Sequence, residues 1–185
     1  MLETLLNLDT DLLIFINSHH NSFFDGFMSF MSSISVWIPL YVAVAVYFFV
    51  KNPLKTSLYI LLAFAIVFAI SDYGSVHLFK EVFKRLRPCY NPEIVDRLHL
   101  LKMPGGHYGF ISSHAANGFG FAVLSLLFIK NKIFTIIILL WASTVAFSRV
   151  YLGVHYPGDV LFGALWGILD AFLVYYLYKL FVRKK

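Results

Sequence analysis

The sequence predicts an all-α, integral-membrane helical bundle of about five transmembrane helices, preceded by an N-terminal interfacial helix. Three observations carry that expectation. Hydrophobic residues occupy 59% of the 185 positions and only 14% are charged, where soluble domains carry about a quarter. Mean hydropathy is +0.76. The apolar residues fall into blocks, most of them near the roughly 20 residues a helix needs to cross a hydrocarbon core. One bundle over residues 1–185 is expected, with no second domain.

Residues 2–18 mix apolar positions with Glu3, Asp9 and Asp11, which suits a helix lying in the interface better than one crossing it. The first span falls within residues 23–50, the second over 54–79, the third over 114–129, the fourth over 133–147 and the fifth over 160–181. Residues 81–110, between the second and third spans, form the only long polar connection and are rich in Pro, Gly, Arg and His. Loops of that length inside a bundle are usually functional or disordered. No Lys or Arg precedes Lys51, so a secretory signal with its positive leading region is not expected. The single cysteine, Cys89, cannot form an internal disulfide.

Each span reverses the side of the membrane, so parity sorts the polar residues. Lys80, Arg87, Ser112, His114, Arg149, His155 and Asp159 fall on one face. Lys51, Lys55, Lys130, Lys132, Lys179, Arg183, Lys184 and Lys185 fall on the other, with no acid among them. The positive-inside rule makes that second face cytoplasmic and points the polar cluster outward. The net charge of +5 therefore orients helices and does not point to nucleic acid.

The polar cluster has the makings of a phosphate site. Lys80 and Arg87 are seven residues apart, and project from nearly the same face if the second helix continues past its span. Arg149 ends the fourth span, bringing a third cation to the same mouth. The planar guanidinium fork suits phosphate, with lysine as a point charge. In "ISSHAANGF", Ser112 or Ser113 is a candidate N-cap for the third span, whose free N–H groups also favour an anion.

"HYPGD" repeats that logic at the fifth span, with Pro157 suited to the first helical turn. Asp159, four residues after His155, can accept the ring Nδ1–H and leave Nε2 free. That arrangement prepares His155 as a nucleophile. His114, the other histidine at a helix mouth, is then the general acid for the leaving oxygen and later the base for water. Charge on the phosphoryl oxygens falls to Lys80, Arg87, Arg149 and the amides near Ser112 and Ser113. No metal or other cofactor is called for, because the cations supply the positive charge.

These segments resemble the three signatures of the type 2 phosphatidic acid phosphatase (PAP2) superfamily. "KEVFKRLRP" matches K-x6-R-P, "ISSH" resembles P-S-G-H, and "SRVYLGVHYPGD" matches S-R-x5-H-x3-D. The resemblance implies a helical bundle and metal-free dephosphorylation of lipid phosphates. It also implies Lys80, Arg87, Ser112 and Arg149 as phosphate ligands, His114 as acid, His155 as nucleophile and Asp159 as its partner. One motif departs from the pattern: Ile111 stands for proline and Ser113 for glycine.

The remaining polar residues read as structural. Lys84, Arg85 and Lys102 are membrane-edge anchors. His19, His20, His77 and His99 are scaffold, as are Asp72 and Asp170 within apolar blocks. His107, in "PGGHYG", is a candidate lid or headgroup contact. The expected protein is thus a multi-pass lipid phosphatase of a bacterial cytoplasmic membrane, its site on the periplasmic side. Undecaprenyl diphosphate ranks first as substrate, ahead of lipid A phosphate and phosphatidylglycerophosphate. The alternatives are a lipid phosphotransferase, or a binder or transporter of lipid phosphates that does no chemistry.

Overall fold

The computed structural model describes residues 1–183. The helices are α1 (Leu2–Ser18), α2 (Ser22–Ser32), α3 (Ile38–Lys51), α4 (Leu54–Phe83), α5 (Ser113–Ile129), α6 (Lys132–Tyr151) and α7 (Pro157–Arg183). A tighter turn, Ile34–Trp37, leads into α3. Four stretches are long and apolar enough to cross a membrane: Ile34–Lys51, Leu54–Phe83, Lys132–Tyr151 and Pro157–Val182. α5 is apolar and has 17 residues, about 25 Å of helix. Lys184 and Lys185, counted above among the cytoplasmic cations, lie outside the described residues, as does the side chain of Arg183.

α5 is the centre of the bundle and packs against α4, α6 and α7. Its buried face is rich in small residues, Ala115, Ala116, Gly118, Gly120 and Ala122, which let helix backbones approach closely in lipid. α7 answers with glycines of its own. A Cβ at Gly167 would lie 2.0 Å from the Ala116 carbonyl oxygen, and one at Gly163 would lie 2.5 Å from that of Ser112. The second and third turns of α7 are thereby pressed onto the start of α5, and the Ser112 N–H bond to Asp159 O (2.9 Å) ties in the first turn of α7, so that site residues of both helices meet. Asp170 is buried on α7 and accepts a 2.7 Å hydrogen bond from Ser71 of α4, the scaffold role expected of it.

The structure refines two sequence expectations. The first span falls within residues 23–50 as expected but does not begin at 23: α2 is a separate helix, capped by Asn21 and ended at Ser33 in extended backbone. The run Ser32, Ser33, Ser35 favours local side-chain bonding over helix there, and the membrane-length stretch begins at Ile34. Nor does α4 carry Arg87. The helix widens to i→i+5 spacing over Ser75–Lys80 and stops at Lys84, whose φ is 47°. Pro88 disfavours helix at the residue before it, and Arg87 is extended at φ −66°, ψ 153°.

α1 packs against the ends of α6 and α7. Its buried Asn17 donates to the carbonyls of Tyr151 (2.7 Å) and His99 (3.0 Å) and accepts from His99 N–H (2.8 Å). The opposite side, with Leu5, Leu8, Leu12 and Phe15, is exposed, as an interfacial helix requires. The long connection folds back beside the site, where Arg87 N–H donates to His107 O (2.8 Å) and Gly109 N–H to Arg85 O (2.9 Å).

Candidate active site

Five separate segments converge on one cavity of about 560 Å³, lined among others by Lys80, Arg87, Ser113, His114, Arg149 and His155. Lys80 comes from the widened end of α4, and Arg87 from the extended segment that Pro88 enforces. Ser113 and His114 come from the first turn of α5, Arg149 from the last turn of α6, and His155 from the loop before α7. The cavity wall also includes Ser29 and Ser32 of α2 and Ser33 just after it, which the sequence reading did not place there.

His155 is almost fully buried; its ring hydrogen-bonds the Gly109 main chain and lies between two side chains. Its Nδ1 lies 3.4 Å from Asp159 Oδ2, and its Nε2 lies 2.6 Å from Arg87 Nη1. A guanidinium can only donate, so Nε2 is the acceptor and the proton resides on Nδ1, facing Asp159. That is the tautomer with a lone pair on Nε2. Burial, then the charges of Arg87, Arg149 and Lys80, hold the His155 pKa well below its ordinary value, so the ring stays neutral.

Arg87 is itself buried and fixed by main-chain acceptors, Gly106 O to its Nε (3.0 Å) and Val154 O to its Nη1 (3.2 Å). Arg149 Nη1 donates to Ser32 Oγ, and its buried Nε has no partner among the described residues. Lys80 Nζ donates to Ser113 Oγ, which also lies 2.6 Å from Ser75 Oγ. The three cations thus face one cavity, and among the described residues no carboxylate forms an ion pair with any of them. His114 stands at the same wall and hydrogen-bonds the Ser32 main chain.

Ser112 is the N-cap of α5. Its Oγ accepts from Ala115 N–H at 3.4 Å and its own N–H donates to Asp159 O at 2.9 Å. Of the two serines, Ser113 is the one that presents its hydroxyl to the cavity.

A sequence search places the family. Residues 56–183 match the model of the PAP2 superfamily. The chain belongs to the PAP2 superfamily. It is 37% identical to a lipid A 4'-phosphatase of Bacteroides thetaiotaomicron, over 99% of this chain and 83% of that protein. It is 30% identical to an undecaprenyl-diphosphatase of Sulfolobus acidocaldarius, over 92% of this chain and 79% of that one. Among solved structures, the transmembrane PAP2-type phosphatidylglycerolphosphate phosphatase of Bacillus subtilis matches with a TM-score of 0.77 at 24% identity, covering 95% of this chain and 87% of that chain. That likeness establishes the fold, and the chain is a multi-pass membrane protein of the PAP2 superfamily. Where the superfamily motif has glycine, the hydroxyl of Ser113 holds the amine of Lys80.

Several residues outside the motifs fall into place. Arg85, read as a membrane anchor, instead pairs with Asp159 (2.9 Å) and with Asp9 of α1 (2.8 Å). The signal for it was present: in an extended segment residues two apart share a side, so Arg85 accompanies Arg87. His107 contributes its carbonyl to Arg87, while its ring packs on Tyr90 with centroids 4.6 Å apart. Cys89 is buried, and burial raises its thiol pKa, which leaves it inert. His77 pairs with Glu81 (2.7 Å). His20, Asp25 and His99 are a group whose ligand atoms lie within 4.8 Å of one another. They stand outside the cavity lining, and Asp25 there accepts from the hydroxyl of Tyr151 at 2.7 Å.

Proposed function

We propose that the protein is a membrane lipid phosphatase that works through a phospho-histidine. The observation that carries this reading is the Arg87–His155–Asp159 chain of contacts opening on a cavity shared with Lys80, Arg149 and His114. Nε2 of His155 attacks phosphorus while the ester oxygen departs with a proton from His114. The phosphorylated ring is then cationic, and Asp159 faces its Nδ1–H. Water, deprotonated by His114, attacks the phosphorus and releases inorganic phosphate, restoring both imidazoles.

Charge growing on the phosphoryl oxygens is met by Arg149, Lys80 and Arg87, whose Nη1 exchanges the His155 lone pair for the substrate. Preorganised cations in a water-poor site supply transition-state stabilisation directly, so the reaction is proposed to need no metal. A second cavity of about 220 Å³ shares Ser32, Ile34, Ser113 and His114 with the first and is otherwise walled mostly by apolar side chains such as Trp37, Tyr41, Phe68 and Trp141, with Asp72 and Asn117 as polar exceptions. It offers a lipid chain a place between α3, α4, α5 and α6. The site lies on the face opposite Lys51, Lys55, Lys130 and Lys132, and the positive-inside rule supports reading it as the periplasmic side of a bacterial inner membrane.

The similarity to a lipid A 4'-phosphatase at 37% identity over nearly the whole chain favours a lipid A-type phosphomonoester as substrate. Undecaprenyl diphosphate, ranked first from the sequence, becomes the second reading, supported by the relative at 30%. Phosphate release from each lipid by the detergent-purified protein, in excess EDTA, tests this. Release is expected from wild type and is expected to fall at least about 10³-fold in His155→Ala. Equal rates in the two proteins, or activity abolished by EDTA, would defeat the mechanism.

A further inference from the structure

We propose that Arg85 and Asp9 are positioning residues of the phosphatase reaction, through which the N-terminal helix α1 orients the Asp159 carboxylate beneath the nucleophile. The proposal rests on the phosphatase reading above.

Asp159 is fully buried. Its Oδ2 accepts from Tyr156 N–H at 3.1 Å and lies 3.4 Å from His155 Nδ1. Those two contacts alone leave a buried carboxylate short of compensation, since an unpaired charge away from water is costly. Arg85 supplies the missing partner. Its Nη1 donates to Asp159 Oδ1 at 2.9 Å and its Nη2 to Asp9 Oδ2 at 2.8 Å, so one planar fork bridges two carboxylates. The guanidinium also lies over the Tyr156 ring, 3.8 Å from its centroid, and the stacking fixes the plane of the fork.

Asp9 is fixed in turn. Its Oδ1 accepts from Gly158 N–H in the first turn of α7 at 2.7 Å. A Cβ at Gly158 would lie 3.0 Å from Asp9 Oδ2, so the lack of a side chain at residue 158 eases the close approach of Asp9. The chain of contacts runs Gly158, Asp9, Arg85, Asp159, His155, and each link is a hydrogen bond or ion pair.

The charges explain why two acids share one arginine. The Asp9–Arg85–Asp159 group carries one net negative charge. Anchoring Oδ1 to Arg85 turns Oδ2 toward His155, where that charge faces Nδ1–H as phosphorylation of Nε2 makes the ring cationic. Arg85 is not part of the cavity lining and acts only through Asp159.

The test is steady-state phosphate release from lipid A bearing a 4'-phosphate, with the full-length protein in detergent. Arg85→Gln is expected to lower kcat about 10- to 100-fold, the usual scale for a group that orients a reacting residue, with KM within about twofold. Arg85→Lys is expected to recover part of the loss, and Asp9→Asn to show a smaller fall of the same kind. Because Arg85 acts through Asp159, adding Arg85→Gln to Asp159→Asn is expected to cost nothing further. Unchanged kcat in a folded Arg85→Gln protein would overturn the proposal, as would losses that multiply in the double variant, the mark of a merely structural role. A wild-type protein that releases no phosphate would defeat the phosphatase reading itself, and with it the premise of this one.

Discussion

Arg87 Nη1 lies 2.6 Å from Nε2 of His155, so the arginine proposed to bind phosphate donates to the lone pair of the proposed nucleophile. The contact sets the tautomer, and in the proposed mechanism an incoming phosphate displaces it. Arg87→Ala removes both a phosphoryl ligand and a charge beside the imidazole. It is expected to cut kcat/KM about 10²- to 10³-fold, the scale for losing one preorganised donor. It is also expected to move the acid limb of the pH profile upward, because loss of the neighbouring cation lets His155 protonate more easily. A profile of kcat/KM against pH for the variant checks both.

The neutrality of His155 has a stability signature. Burial and the three cations depress its folded-state pKa, while an unfolded histidine titrates near about 6.5. Below that pH the unfolded chain takes up a proton that the folded one refuses, so stability falls as pH falls from about 6.5 toward the depressed value. His155→Asn cannot titrate and is expected to lose less on going from pH 7.5 to pH 5. Thermal melts of both proteins in the same detergent at the two pH values give the comparison.

His114 is expected to matter in proportion to the difficulty of the leaving group. A general acid typically contributes about 10²- to 10⁴-fold, and an activated phosphate ester needs it least. His114→Ala is therefore expected to lose much more activity on a lipid phosphomonoester than on p-nitrophenyl phosphate. Equal losses on the two substrates would remove His114 from the role of acid.

The α5–α7 contact is expected to tolerate no added bulk. A methyl group at Gly167 would fall 2.0 Å from the Ala116 carbonyl oxygen, which is backbone and cannot step aside without moving a helix. Gly167→Ala is expected to destabilise the protein by at least about 1 to 3 kcal/mol, the cost of overpacking. It is also expected to separate the first turns that carry His114 and Asp159. Melting temperature and phosphate release measured together are expected to fall together, whereas Gly26→Ala, with open space around its Cβ, is expected to leave both unchanged.

The amino-acid sequence alone determined that this chain is a membrane bundle and which face its polar residues share. Those properties follow from the length of apolar blocks and from parity, and they require no knowledge of distance. It also nominated Lys80, Arg87, His114, Arg149, His155 and Asp159 for a phosphate site, because the spacing of charged groups at helix mouths restricts their chemistry. Only the tertiary structure decided that Ser113 and not Ser112 faces the cavity, that α2 forms part of its wall, and that Arg85 joins Asp159 to Asp9. The physical reason lies in how each is specified. A hydrophobic period is local and repeats, whereas the partner of a guanidinium 74 residues from Asp159 is chosen by where α4 ends, where Pro88 turns the chain, and how closely two glycines let α7 approach α5.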